Sequence, residues 1–409
     1  MSRVRVAVTG LGVKVPAGTG VENAFACLLA GRSRAVPVPE LVDRGIAVTF
    51  ACPVPGFDPA AYLTHRESRR LDRAAQLAVA AAADAVADAG DAGIHPDRTG
   101  VFVGSGLGGI LATTAITRAH DAQPGGMPVD TVARLMPSAP AAWIALRQGC
   151  RGPALTYATA CASGATAIGE AVLKLRAGEV DTAVAGGVDT PIGAMVMAGF
   201  ARIGALSMRN DDPAGASRPF DVSRDGFVMG EGAAFLVLER WEHARARGAR
   251  IHGEVAGYGS NTDAFHIVAP IAEGTVAADC MTAALADAGV EPADVGHVNA
   301  HGTATPLNDR AETAALALCF GDRAPVVTAP KGVTGHMIGG AGAFEAIAAL
   351  LAATRGVVPP VANLTAADPG SPLDLVRAEP RRIEQGRPVI SNSFGFGGHN
   401  ASLVLIPES

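Results

Sequence analysis

The stretch TYATACASGATAIGEAVLKLRAG reads as a strand, a sharp turn and a helix, with Cys161 at the turn. Small residues flank it: Ala160, Ala162, Ser163 and Gly164. A cysteine at a helix start faces the positive end of the macrodipole and free backbone N–H groups, and both favour thiolate over thiol. The small neighbours leave room for a substrate, and the N–H groups suit an oxyanion. The plain alternative is a buried structural cysteine. Two histidines stand out among the ten. His301 follows a strand in HVNAHGTATP, at the edge where open α/β sheets bind ligands. His336 lies in PKGVTGHMIGGAGAFEA, a glycine-rich turn that opens a helix. Either alone reads more readily as a structural histidine than as a catalyst. A turn cysteine with two such histidines points to nucleophilic chemistry. Lys331 stands five residues before His336, and the only other lysines are Lys14 and Lys174. In ISNSFGFGGHNASLVL, glycines surround Phe394 and Phe396, so backbone and rings can approach a ligand closely. A Rossmann or P-loop phosphate cradle is not supported. GSGLGG lacks the required spacing, and no GK[ST] occurs.

These side chains need a rigid frame. Short apolar runs ending in glycine recur: Val4 to Val8 before a TGLG turn, Val101 to Val103, and Thr182 to Ala185. They read as strands of a sheet covered on both faces. Alanine-rich helices are predicted over Asp72 to Ala89, Gly164 to Ala177, Thr275 to Ala288 and Gly342 to Thr354. Alternating strands and helices predict an α/β protein with a largely parallel sheet. A faint duplication relates RVRVAVTGLG to IHGEVAGYG, with a boundary in the arginine-rich ERWEHARARGAR, giving halves 1–249 and 250–409. Ala122 to Ala139 and Asn210 to Gly232 read as loops or caps.

The chain has 409 residues, 49% hydrophobic and 18% charged, which is ample for a large core and excludes a disordered protein. A net charge of −6 argues against a nucleic-acid-binding surface. Six scattered cysteines without a CxxC pair suggest neither a zinc site nor a disulfide framework. The opening MSRVRVAVTGLG is not a signal-peptide pattern, and no apolar run reaches the roughly 20 residues of a membrane span. The expectation is a reduced, soluble, cytoplasmic enzyme or binding protein without membrane contact.

Five motifs in order make the likeness specific: TACASG around Cys161, RPFDVSRDGFVMGEGAA at 218–234, NAHGTATPLND at 299–309, PKGVTGH at 330–336, and NSFGFGGHN at 392–400. The chain resembles, over essentially its whole length, the β-ketoacyl-acyl-carrier-protein synthases of the elongating type, which have a Cys–His–His site. The resemblance implies the thiolase fold: two duplicated halves in a five-layered αβαβα stack, as a homodimer. It implies that Cys161 accepts an acyl chain, and that His301 and His336 bind the malonyl thioester carbonyl and promote its decarboxylation. Lys331 would hold His336, together with Glu345. Phe396 would gate the malonyl side and add its N–H to an oxyanion hole. Thr303 and Thr305 would bind a phosphopantetheine arm, with Phe394 beside them. Phe200, Leu107, Met195 and Met197 would line or gate the acyl pocket. Asn299, Glu345, Ser391 and Asn392 match positions that bind a monovalent cation in some members.

No other cofactor is implied, because substrates arrive on the phosphopantetheine of an acidic acyl carrier protein. Arg66, Arg69 and Arg70, in a basic cluster with Arg73, fall where the family docks that carrier. The expected activity is a decarboxylative Claisen condensation in fatty-acid or type II polyketide elongation. The alternatives are a ketosynthase chain paired with a chain-length partner, and a non-catalytic partner subunit, which Cys161 argues against. Two departures, Gly332 where the family more often has Ser or Ala and His399 where it more often has Thr, leave every catalytic group in place.

Overall fold

The computed structural model describes residues 3–90, 94–123, 127–321 and 325–408. Ten strands and six helices carry the frame. The first half runs β1 (Val6–Lys14), α1 (Arg73–Asp88), β2 (Thr99–Gly104), α2 (Ala139–Gln148), β3 (Ala154–Tyr157), α3 (Ser163–Arg176), β4 (Thr182–Asp189) and β5 (Gly232–Arg240). The second runs β6 (Gly253–Thr262), α4 (Thr275–Ala288), β7 (His297–Asn299), α5 (Pro306–Phe320), β8 (Val326–Thr328), α6 (Ala341–Arg355), β9 (Val389–Gly395) and β10 (His399–Pro407). The order in space is β3-β2-β4-β5-β1 in one half and β8-β7-β9-β10-β6 in the other. These are the same order shifted by five, so the duplication that was faint by letter is complete by topology. In each half the first three strands in space are parallel and the last two run antiparallel. The largely parallel sheet expected from the sequence is therefore corrected to a mixed one. A short pairing of Ala7 and Val8 with Glu254 and Gly253 joins the two sheets edge to edge.

Helix contacts set the layers. α1 packs on β1, β5 and β4 from one outer side, and α4 on β6 and β10 from the other. α3 and α6 lie between, touching strands of both halves and each other. This is the αβαβα stack. The stretch Ile338–Arg355 is apolar and long enough to cross a membrane by composition, and 89% of it is buried inside the protein. It is the central helix of a stack, apolar all round because sheets cover it on both sides.

Glycine sets how tightly these layers close. A TGLG turn was expected, but β1 runs straight through it. A Cβ on Gly10 or Gly12 would lie 2.0 Å from the carbonyl oxygens of Ala85 or Ala81 in α1. Those glycines serve close strand–helix approach rather than a turn. The second half repeats the device, with Gly257 and Gly259 against Ala284 and Cys280 of α4. The stretch 122–139, expected as a loop, holds a short helix at Thr131–Leu135, and its residues 124–126 lie outside the described residues.

Candidate active site

β3 ends at Tyr157, and the chain makes a single 3₁₀ turn over Ala160–Ala162 before α3 begins at Ser163. Ala160 enters the turn at φ +49, a left-handed conformation that a Cβ disfavours. Ser163 locks it: its Oγ accepts from Thr159 N at 2.9 Å and donates to Ala160 O at 2.6 Å. Cys161 is thereby held at the N-terminus of a buried helix. Gly395 lies behind it, where a Cβ would come within 2.7 Å of Thr159 O and 3.1 Å of Cys161 N. Only glycine lets the two backbones close, and the closure brings the Phe396 N–H to the Cys161 sulfur. Burial pushes the thiol up to about 12, while the charge of Lys331 and the Phe396 N–H pull it down. Burial thus opposes the thiolate preference expected from the helix start alone.

His301 follows β7, and His336 precedes the Ile338–Gly340 turn that starts α6. The reactive atoms of Cys161, His301 and His336 lie within 4.8 Å of one another. The two imidazoles meet edge to face, their centroids 5.4 Å apart at 83°. Burial first, and then the nearby ammonium of Lys331, lower both imidazoles well below their ordinary value, so both are neutral near pH 7. Lys331 was expected to hold His336. Its Nζ instead donates to Glu345 Oε1 at 2.5 Å, to the His301 carbonyl at 2.6 Å and to His301 Nδ1 at 3.3 Å. An ammonium can only donate, so His301 Nδ1 is the acceptor and Nε2 carries the proton. That tautomer presents an N–H to the site.

Three carboxylates escaped the sequence reading. Glu312 accepts from His301 N at 2.7 Å and Gly302 N at 2.8 Å. Asp309 accepts from Thr303 N at 3.0 Å and Phe220 N at 2.7 Å. Both project from the first turns of α5, and their presence in NDRAE was the available signal. Asp189 ties the loop after β2 to the turn after His336. Nothing local marked it.

A pocket of about 280 Å³ opens onto the centre. Cys161, His301, His336, Thr303, Thr305, Phe200, Phe394 and Phe396 all line it. The Thr303 and Thr305 hydroxyls share a hydrogen bond of 2.9 Å at its wall. Phe200 and Phe396 stack at 6.1 Å. Leu107 and Met197 do not line it; they pack in the apolar cluster behind Cys161. Met195 was expected to help line the acyl pocket, but it is 52% exposed.

Arg66, Arg69 and Arg70 are exposed on the helix His65–Arg70. Arg73 leaves that cluster, being bidentate to the buried Glu231 at 2.8 and 2.6 Å. Of the four candidate cation ligands, Asn299 Oδ1 and Glu345 Oε2 are buried without a partner among the described residues, while Asn392 Oδ1 accepts from Ser402. Ser391 Oγ faces the Asn299 amide at 3.3 Å. Two unmet buried oxygens, one from a carboxylate, fit a hard monovalent cation. Gly332 has a local reason, since a Cβ there would meet Ala362 at 3.0 Å.

Comparison with known proteins agrees with this geometry. Residues 3–244 match the family "Beta-ketoacyl synthase, N-terminal domain" and residues 252–365 match "Beta-ketoacyl synthase, C-terminal domain". The chain is 40% identical to the 3-oxoacyl-[acyl-carrier-protein] synthase 2 of Vibrio cholerae serotype O1, covering 99% of each. Among solved structures it resembles the ishigamide ketosynthase/chain length factor, with TM-score 0.93, 39% identity and full coverage of both chains. It also resembles a type II PKS acyl-carrier protein's ketosynthase, solved in complex with that carrier and bound to the hexaketide, with TM-score 0.92, 29% identity and full coverage of both chains.

Proposed function

From the premise that this chain belongs to the β-ketoacyl synthase family, and is a condensing acyltransferase of fatty-acid or type II polyketide elongation, we propose the following division of labour. Cys161 is the nucleophile. Its thiol transfers its proton to a neutral imidazole and its sulfur attacks the acyl thioester carbonyl. The S–C bond forms, the bond to the carrier sulfur breaks, and the departing thiolate takes the proton back from the imidazole, which is neutral again; the oxyanion is held meanwhile by the N–H groups of Cys161 and Phe396. A malonyl thioester then enters the same pocket. Its carbonyl oxygen accepts from the His301 Nε2–H and from His336. Carbon dioxide leaves, the electron pair passes into an enolate held by those donors, and the enolate carbon attacks the acyl-cysteine. A C–C bond forms and the Cys161 thiolate departs. Neutral imidazoles suit this step, since the substrate supplies its own carbanion and needs donors, not a strong base.

The observation that carries this reading is the gathering of Cys161, His301 and His336 within 4.8 Å at the floor of one pocket. The test is intact-protein mass spectrometry after incubation with acyl-carrier proteins and then malonyl-carrier protein. An acyl adduct on wild type, absent from Cys161→Ala and chased into a 3-ketoacyl product, is expected. A folded wild type that gains no adduct from any carrier overturns the reading.

We further propose that the acyl groups arrive on the phosphopantetheine of a carrier protein, with the arm beside Thr303, Thr305 and Phe394. The carrier would dock at Arg66, Arg69 and Arg70, exposed cations suited to an acidic partner. Phe396 and Phe200, stacked on each other, would part to admit the acyl chain toward Leu107 and Met197. A monovalent cation at Asn299, Glu345, Ser391 and Asn392 would balance the Glu345 carboxylate. A dimer is supported by β3, which is an outer edge strand with Leu155 exposed and with Leu146 and Leu173 exposed on the helices beside it. The same edge would serve a second copy or a chain-length partner. The repeated strand order supports dividing the chain at 1–249 and 250–409.

A further inference from the structure

Asp189 closes β4, is wholly buried, and has no part in the chemistry above. Its carboxylate accepts four hydrogen bonds. Ser105 Oγ at 2.8 Å and Leu107 N at 3.1 Å meet Oδ1, while Gly106 N and Gly339 N, both at 2.8 Å, meet Oδ2. Three donors belong to the loop after β2. The fourth lies 150 residues from Asp189, in the Ile338–Gly340 turn that follows His336. That turn is strained: Ile338 sits at φ +49, where a β-branched residue is a genuine outlier. It is also the counterpart of the cysteine turn. Both are single 3₁₀ turns, both begin at φ +49, and each starts the third helix of its half. Where the first half has Cys161, the second has Gly339, and the N–H there is taken by Asp189.

The His336 ring has no tether of its own. Among the described residues neither Nδ1 nor Nε2 has a hydrogen-bond partner. Its place follows from edge contacts with Phe227 and His301, centroids 5.2 and 5.4 Å away, and from the backbone on either side. Upstream, His336 N donates to Val228 O at 2.7 Å, and His336 O accepts from Gly230 N at 2.9 Å. Downstream, the bond from Gly339 to Asp189 is the next anchor to a distant element.

We propose that Asp189 is a positioning residue for His336. It holds the strained turn against the 105–107 loop and so fixes where the imidazole meets the malonyl carbonyl. The role rests on the function proposed above. The cysteine turn is less dependent on it, because Ser163 locks Ala160 from within the turn itself.

The test separates the two halves of the reaction. Asp189→Asn keeps the shape but offers one acceptor oxygen, so its NH₂ must face either the Gly106 and Gly339 N–H groups or the Leu107 N–H and the Ser105 hydroxyl, and the four-bond clamp is broken in either orientation. Decarboxylation of malonyl-carrier protein should fall about a hundredfold in kcat, the order expected when a reacting group is misplaced by about 1 Å. KM should stay within about threefold, because substrate binding is not the loss. Capture of Cys161 by iodoacetamide should stay within about threefold of wild type. Ser105→Ala removes one donor and leaves the carboxylate, and should give a smaller fall of the same kind. It decides the matter by the same readings if the Asn variant does not fold. Either variant, folded by circular dichroism, decarboxylating at the wild-type rate overturns the role. So does Cys161 capture falling in step with decarboxylation, which would mark Asp189 as general packing. A wild type that never decarboxylates malonyl-carrier protein would overturn the activity itself and this role with it.

Discussion

Replacing Lys331 by Met separates what this buried lysine does for the fold from what it does for the chemistry. Met keeps the unbranched stem, one heavy atom shorter, and removes all three donors, those to Glu345 Oε1, to the His301 carbonyl and to His301 Nδ1. Lys331 and Glu345 are each 1% exposed at the side chain. Stranding one partner of such a buried pair destabilises by about 3–5 kcal/mol. Burial already pushes the Glu345 carboxyl up against the pull of Lys331. Without the lysine nothing offsets that burial, so the protonated carboxyl is favoured further and the loss moves toward the lower end, about 3 kcal/mol. The effect on rate has a different origin. His301 Nδ1 loses its fixed donor, and the Nε2–H that faces the substrate is no longer assured. Losing one preorganised donor to a developing oxyanion lowers the rate about 10²–10³-fold, or about 2.7–4 kcal/mol. Lys331→Met/Glu345→Gln then removes the stranded carboxylate. It should regain most of the stability and none of the rate. Urea unfolding reads the first quantity, and malonyl-carrier decarboxylation by the folded variants reads the second. Two results refute the reasoning: a Lys331→Met enzyme within about threefold of wild type, or a double variant that recovers rate and stability together.

Because burial holds the Cys161 thiol up to about 12, alkylation by iodoacetamide should rise about tenfold per pH unit from about pH 7 to about pH 9 without a plateau, and a plateau in that range would show a stabilised thiolate. Reversing charge with Arg69→Glu and Arg70→Glu should lower kcat/KM for carrier-borne substrates about tenfold while free pantetheine thioesters react as before, and added salt should lower the wild-type value in the same direction. Equal losses on both substrate types would place the effect away from docking. Leu155→Asp puts a charge at the exposed edge strand β3. Sedimentation should show a dimeric wild type and a monomeric variant, and a variant that stays dimeric would move the interface elsewhere.

Local patterns were legible because local physics sets them. The α3 helix, the turn that carries Cys161 and the glycine-rich turn after His336 stand within a residue or two of where periodicity and small residues place them. The residue types of the site and their strand-end setting were readable in the same way, and the five ordered motifs pointed to the family. What the sequence left undecided lies across distance. Lys331 reaches His301 over thirty residues of chain, and Asp189 reaches Gly339 over 150. No spacing rule predicts a contact that arises only when two halves stack. The direction of β5 and β10 is equally non-local, since strand polarity is set by pairing partners rather than by composition. Met195 and Met197 illustrate the smallest scale at which this holds. Two residues apart on a helix, they point about 200° from one another. Only the packing of that helix decides that Met197 is buried near Cys161 and Met195 faces outward. The sequence by itself determined the chemical groups and the local turns that hold them. The tertiary structure decided which imidazole the lysine fixes and which carboxylates clamp the turns, because those are properties of elements brought together from both halves.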